Sequence, residues 1–166
     1  MKRIIIVLAL ILILIGSILY NNESTLLRNT DDLIHIAREV IPVADKETID
    51  ITYVDMYVVN NEAIHLFFSG NNYQDHVYLA LQCEIVGENL YRLKKHHIML
   101  ERAEDIAIYR DGLSYLFLVN NTDCQTLKVN DKAVTIPKDE YPFLYYQTQV
   151  DNYSFLDYNG NEISFK

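Results

Sequence analysis

The chain has 166 residues and a formal net charge of −9, and 50% of its residues are hydrophobic. Beyond residue 20 it carries 12 basic and 23 acidic residues, which is a net charge of −11. Such an acidic surface repels nucleic acid and anionic lipid headgroups. We therefore expect no nucleic-acid partner and a bias towards cationic partners.

The chain opens with a positively charged flank, Lys2 and Arg3, followed by an uncharged apolar run at residues 4–20. As a helix this run spans about 25 Å, near the lower limit for crossing a bilayer core of ~30 Å. A secretory signal has a similar pattern, but bulky Leu19 and Tyr20 stand where the peptidase needs small residues. We therefore predict an uncleaved signal anchor over residues 1–22, with cleavage and secretion as the alternative.

The charges around this run predict its orientation. Lys2 and Arg3 precede it, whereas residues 21–24 carry no basic side chain. By the positive-inside rule the N-terminus then lies in the cytoplasm and residues 21–166 lie outside. The prediction is a single-pass protein of the cell membrane, and the frequent Ile, Asn, Lys and Tyr are typical of an A+T-rich bacterial genome.

Residues 23–46 read as an amphipathic helix and a connector. Apolar side chains recur three and four residues apart from Leu26 to Ile41, which is the pattern of a helix with one buried face. Thr30, followed by two aspartates, is the predicted N-cap, and Pro42 ends the helix. We expect the helix to pack on residues 47–166 as part of the same domain.

Residues 47–166 change to two-residue periodicity, which predicts strands. Turn signals such as Asn60-Asn61, Asp111-Gly112 and Asn159-Gly160 recur about every ten residues, which is too short for parallel crossovers. The predicted fold class is therefore an N-terminal transmembrane helix followed by an α+β, mainly β domain. In that domain one short amphipathic helix precedes an antiparallel meander or sandwich of about 8–10 strands.

The two cysteines, Cys83 and Cys124, leave two states open. Outside the membrane they could form a disulfide, and closing a loop of about 40 residues would stabilise the fold by roughly 3–4 kcal/mol. Cys83 also lies on the apolar side of the predicted strand from Val77 to Ile85, where a buried free thiol is equally natural. In the same strand we expect Tyr78 and Gln82 to face outward.

An aromatic strip near the C-terminus is the predicted binding face. Alternate residues of a strand share a face, so one set should pack in the core and another could form an exposed tyrosine strip. Such a strip suits the binding of a peptide, a glycan or a protein surface. The residues of this candidate face are Tyr141, Phe143, Tyr145, Tyr146 and Tyr153.

Three further patterns have an ordinary structural explanation beside a functional one. The run from Lys94 to His97 predicts a solvated strand edge or a docking spot for an acidic partner. His65 and His76 could meet across a hairpin beside Asp75 and bind a metal. The stretch from Asp157 to Glu162 superficially matches a calcium loop but better predicts an Asn-Gly hairpin turn, because Gly is fourth and no twelfth residue follows.

No catalytic motif is present, and we predict no catalytic, cofactor-binding or metal-binding residues. The sequence has no G-x-G-x-x-G, P-loop, H-E-x-x-H, C-x-x-C or G-x-S-x-G pattern. The favoured function is a membrane-anchored extracytoplasmic domain that acts as a non-catalytic binding or accessory module at the cell envelope, with a protein or envelope component as partner. Two alternatives remain: a secreted or tethered hydrolase, and an inhibitory or immunity-type protein that blocks a toxin or a protease.

Overall fold

The computed structural model describes residues 26–70 and 76–164 and shows a mainly β domain with one short helix. The predicted anchor, most of the Gly70-Asn71-Asn72 turn and Asp75 lie outside these ranges. Within them, no helix is long and apolar enough to cross a membrane. In chain order the elements are β1 (Leu26–Leu27), α1 (Thr30–Val40), β2 (Ile51–Val59), β3 (Glu62–Ser69), β4 (Val77–Gly87), β5 (Leu90–Ile98), β6 (Leu100–Ala103), β7 (Ile106–Asp111), β8 (Ser114–Val119), β9 (Thr126–Val129), β10 (Lys132–Thr135), β11 (Phe143–Thr148) and β12 (Tyr153–Leu156).

Side-chain hydrogen bonds to backbone groups fix both ends of helix α1. The Asn29 side chain accepts a hydrogen bond from the Asp32 backbone N–H at 2.8 Å, which satisfies one of the free donors of the first turn. In the last turn of the helix, the Arg38 guanidinium donates to the carbonyls of Lys46 and Ile49 in the connector, each at 2.7 Å. These bonds fix the connector between α1 and β2.

The strands form three antiparallel sheets, as the short connections predict. Sheet 1 has five strands in the order β1-β5-β4-β3-β2. Sheet 2 has four in the order β11-β8-β7-β6, and sheet 3 has three in the order β10-β9-β12. Every pairing between these strands is antiparallel.

The buried side chains show that the helix and the sheets stack as layers. One core cluster joins the apolar face of α1 to one face of sheet 1, and it contains Leu33, Phe67 and Leu81. A second joins the other face of sheet 1 to sheet 2, and a third lies between sheets 2 and 3. In β8, Leu118 belongs to the second cluster and Phe117 to the third, so both faces of sheet 2 are buried.

This stacking corrects part of the predicted strand pattern. Tyr78 and Gln82 were expected to face solvent, but their side chains are buried because sheet 2 covers that face of β4. The helix begins one residue earlier than the predicted cap implies, since Asn29 and not Thr30 is the N-cap. The described residues form twelve strands, more than the predicted 8–10, because the two-residue strand β1 and the strand β6 were not predicted.

Candidate functional site

Among the concave surfaces on the described part of the domain, three are lined by carboxylates. We name these surfaces the acidic groove, with a volume of about 660 Å³, the shallow groove, with about 350 Å³, and the inter-sheet cavity, with about 100 Å³. None of their described lining residues is a lysine, an arginine or a histidine. The lining carboxylates are Glu104, Asp123 and Asp157 in the acidic groove, Asp55 and Glu140 in the shallow groove, and Glu62 and Asp111 in the inter-sheet cavity.

The acidic groove lies where three loops meet at one end of sheets 2 and 3. Glu104 comes from the β6–β7 turn and Asp123 from the β8–β9 loop. Asn121 ties these two segments together, because its amide donates to the Glu104 carbonyl at 2.8 Å and accepts from the Asp123 backbone N–H at 2.9 Å. Its volume lies within the range of sites that enclose small ligands or short segments of chain.

The third wall of the acidic groove is the turn after β12. Asp157 accepts a hydrogen bond from the Asn161 side-chain amide at 3.0 Å and from the backbone N–H groups of Asn161 and Asn159, each at 2.8 Å, and these bonds lower the pKa of its carboxyl. The carboxylate is therefore negative at neutral pH. Tyr158 is 54% exposed, and the Lys138 ammonium lies 4.7 Å from the centre of its ring. This ring thus already contacts a cation.

The inter-sheet cavity lies between sheets 1 and 2 at the opposite end of sheet 2 from the acidic groove. The β2–β3 turn supplies one wall, and the facing ends of β7, β8 and β11 supply the other. Beside it runs a chain of polar contacts from Lys94 through Glu62 and Gln82 to Tyr109. The bonds from Lys94 and Gln82 lower the pKa of Glu62, and burial raises the pKa of Tyr109 to about 12.

The predicted aromatic strip lies mainly against the core. Phe143, Tyr145 and Tyr153 pack against the cluster between sheets 2 and 3, as does Tyr141, whose hydroxyl donates to the Cys124 carbonyl at 2.5 Å. Tyr146 faces the other way and stacks on Tyr57 with ring centres 4.4 Å apart. The structure thus brings four of the five residues together and separates the fifth, and all five are half-buried.

Part of this strip still reaches a concave surface. Tyr141 and Phe143 line the shallow groove together with Asp55 and Glu140. Tyr146 lines the inter-sheet cavity. The predicted binding face is therefore divided between two carboxylate-lined surfaces.

Both cysteines are free and buried, so of the two predicted states the structure has the thiols and not the disulfide. Cys83 belongs to the cluster beneath α1, and Cys124 belongs to the cluster between sheets 2 and 3. Burial raises the pKa of Cys83 to about 12 and that of Cys124 to about 11. Such thiols remain protonated at neutral pH and are poor nucleophiles.

The histidines do not converge on a metal. His65 lies between Tyr53 and Tyr91 on the α1 side of sheet 1, whereas His76 contacts Asp105 at 2.6 Å on the side of sheet 2. In residues 26–70 and 76–164 no three His, Cys, Asp or Glu side chains are placed to hold a metal ion. The Nε2 atom of His76 is also buried. A general base must reach its substrate with this nitrogen, so its burial argues against that role.

The two remaining patterns have their ordinary structural roles. Lys94, Lys95 and His96 are exposed on β5, along a stretch that the two-residue β1 leaves uncovered. His97 instead packs against the Tyr109 ring, with centres 5.1 Å apart. The Asn159-Gly160 turn forms as predicted, with Gly160 at φ 79° and a bridge that pairs Leu156 with Glu162.

Tyr146 of the inter-sheet cavity was predicted as part of a binding face, but the other residues that line this cavity were missed. Their only signal was the pair of turns, Asn60-Asn61 and Asp111-Gly112, which give no sign of lying side by side. No protein-family model, no curated protein and no solved structure matches this chain. What the domain binds must therefore be inferred from the groups that line its concave surfaces.

Proposed function

We propose that residues 23–166 form a non-catalytic binding module that residues 4–20 hold at the outer face of the cell membrane. Its ligand is a basic segment of a protein partner at the cell envelope. One observation carries this proposal: three concave surfaces on the described part of the domain present carboxylates, and their described linings contain no basic side chain. A net charge of −11 beyond residue 20 adds long-range attraction for a cation.

The acidic groove is the main contact surface in this proposal. Its size suits a few residues of extended chain, and its carboxylates are supplied by loops, which carry most binding sites in proteins. Asp123 and Glu104 would pair with lysine or arginine side chains of the partner. The exposed Tyr158 ring would add a cation–π contact or pack on the aliphatic part of such a side chain.

Site-specific photo-crosslinking in native cells tests this function. Tyr158 is replaced by p-benzoylphenylalanine, with the same substitution at exposed Ala133 of sheet 3 as the control position. We expect one major adduct from position 158, with a lysine- or arginine-rich segment as the linked peptide. The charge reversal Asp123→Lys should remove that adduct, whereas Asp131→Lys on the β9–β10 turn should leave it.

Three results would contradict the proposal: no adduct at position 158, an acidic linked segment, or an adduct that survives Asp123→Lys. The anchor is tested separately by the intact mass of the chain from native cells. A full-length mass in the membrane fraction supports an anchored module. A mass that lacks the first 17 or so residues, found in the soluble fraction, supports a released one.

The same surfaces also suit an inhibitory or immunity-type protein, because toxins and proteases can be blocked by covering a basic site. The crosslinking experiment separates the two functions. A linked partner whose enzymatic or toxic activity falls on stoichiometric binding would favour the inhibitor. A structural or transport protein of the envelope would favour the accessory module.

A further inference from the structure

We propose that the inter-sheet cavity is a binding pocket for a single lysine side chain of the partner. This inference rests on the proposed function and names a second anchoring point on the same partner. The cavity holds about 100 Å³. Since one water occupies about 30 Å³ of liquid volume, this is room for about three waters or for the end of one long side chain.

The groups that line the cavity are mainly hydrogen-bond acceptors. The Tyr146 hydroxyl donates its proton to the Ser114 hydroxyl oxygen at 3.0 Å, and the Tyr109 hydroxyl donates to the Gln82 side-chain oxygen at 3.4 Å. Both phenol oxygens therefore offer lone pairs to a guest. With the carboxylates of Glu62 and Asp111, the cavity suits a guest that is itself a donor.

The charges favour a cationic donor over a neutral one. Glu62 is ionised because the bonds from Lys94 and Gln82 lower its pKa. Lys94 balances that charge, so Asp111 is the carboxylate that remains for the guest. Within the part of the chain that the structure describes, the Asp111 carboxylate forms no ion pair. An ammonium, a compact charge with three donors, fits this set better than a planar guanidinium.

The apolar part of the lining explains why the guest is a protein side chain and not a free ion. Val59 and Ile64 line the cavity beside its polar groups. The methylene groups of a lysine can pack on such apolar side chains while its ammonium reaches the carboxylate. A small inorganic cation has no such apolar part.

Amide chemical shifts of the full-length chain, labelled with ¹⁵N and held in detergent micelles, test this pocket. The probe is n-butylammonium, which has the length and charge of a lysine side chain, and its neutral counterpart is N-butylacetamide. We expect n-butylammonium to shift the signals of Asn60, Asp111 and Ser114, and the amide to leave them in place. Asp111→Asn should weaken this binding about tenfold, as expected when one charged hydrogen bond is lost.

The matched control is Asp131→Asn, the same change on an exposed turn of sheet 3, which should bind n-butylammonium like the wild type. Equal shifts with the neutral amide, unchanged binding by Asp111→Asn, or tighter binding of n-propylguanidinium would overturn the lysine pocket. Shifts confined to Asp123 and Tyr158 would also overturn it while leaving the proposed function intact. If the signals of the cavity residues shift but photo-crosslinking finds no partner, the pocket would be supported and the proposed binding of a basic partner would be contradicted.

Discussion

At the scale of single residues, the buried polar groups have the clearest measurable consequences. His65 is 1% exposed between two tyrosines, and burial lowers its pKa to about 4. Its ordinary value is about 6.5, so the unfolded chain binds a proton at mildly acidic pH that the folded chain does not. Stability is therefore full above pH 6.5 and falls as the pH drops from 6.5 towards 4.

Replacing this histidine tests the assignment. We expect His65→Phe to keep the ring contacts with Tyr53 and Tyr91 and to remove the titrating group. Between pH 7 and pH 5 the wild type should lose about 2 kcal/mol more unfolding free energy than the variant. Urea unfolding at both pH values measures the difference. Equal losses in the two proteins would show that His65 is not buried in its neutral form.

The state of the cysteines gives a second test at this scale. Because Cys83 and Cys124 are buried and protonated, native protein should react very slowly with iodoacetamide. After unfolding without reductant, both thiols should be alkylated, and intact mass should show two additions. If the unfolded chain reacts with iodoacetamide only after reductant is added, Cys83 and Cys124 form a disulfide.

At the scale of secondary structure, the sequence predicts the elements well but not the cap of the helix. Asn29 and Thr30 are both good N-cap residues, and only the backbone decides between them. In the structure Asn29 is extended at φ −152° and bonds the Asp32 N–H, so it is the cap. Thr30 is the first helical residue.

The cap predicts unequal effects at two neighbouring positions. Asn29→Ala should lower the unfolding free energy by about 1 kcal/mol, because the Asp32 N–H loses its partner. Thr30→Ala should change it by less than about 0.5 kcal/mol. Thermal unfolding of the two variants against the wild type measures both effects. A larger cost at Thr30 would place the cap where the sequence pattern suggested.

The predicted strand from Val77 to Ile85 matches β4 within two residues, but the exposure of its faces was not predicted. Alternation in β4 predicts one buried face and one solvent-exposed face, and it places Tyr78 on the exposed face. A tyrosine is compatible with either environment, because its ring is apolar and its hydroxyl needs only one partner. The hydroxyl of Tyr78 donates to Asp105 at 2.9 Å, which allows it to be buried.

At the scale of the whole molecule, sheets 1 and 2 are the inner layers, since core clusters lie on both faces of each. Phe117 of sheet 2 is fully buried, with the rings of Tyr153 and Phe155 at 5.3 and 6.1 Å. Phe117→Ala should cost about 3–5 kcal/mol of unfolding free energy, measured by urea unfolding. Leu113→Ala, at an exposed position, should cost less than about 0.5 kcal/mol. Similar costs would contradict the layered arrangement.

The candidate sites belong to this scale too, which is why the sequence predicted Tyr141, Phe143 and Tyr146 but not the carboxylates beside them. Glu62 and Asp111 lie 49 positions apart in the sequence and meet only because sheets 1 and 2 stack with two of their turns side by side. Periodicity predicts which residues share a face of a strand, but not which sheet covers that face. The overall acidity was readable from composition, and it pointed to the same class of partner.

The most direct test of the binding function is the affinity of the full-length chain for a hexalysine peptide, measured by calorimetry over a series of salt concentrations. We predict binding that weakens steadily as salt rises, no binding of hexaglutamate, and a loss of about tenfold in Asp123→Lys but not in Asp131→Lys. Affinity that does not change with salt, or equal binding of hexaglutamate, would contradict recognition of a basic partner by the carboxylate-lined surfaces.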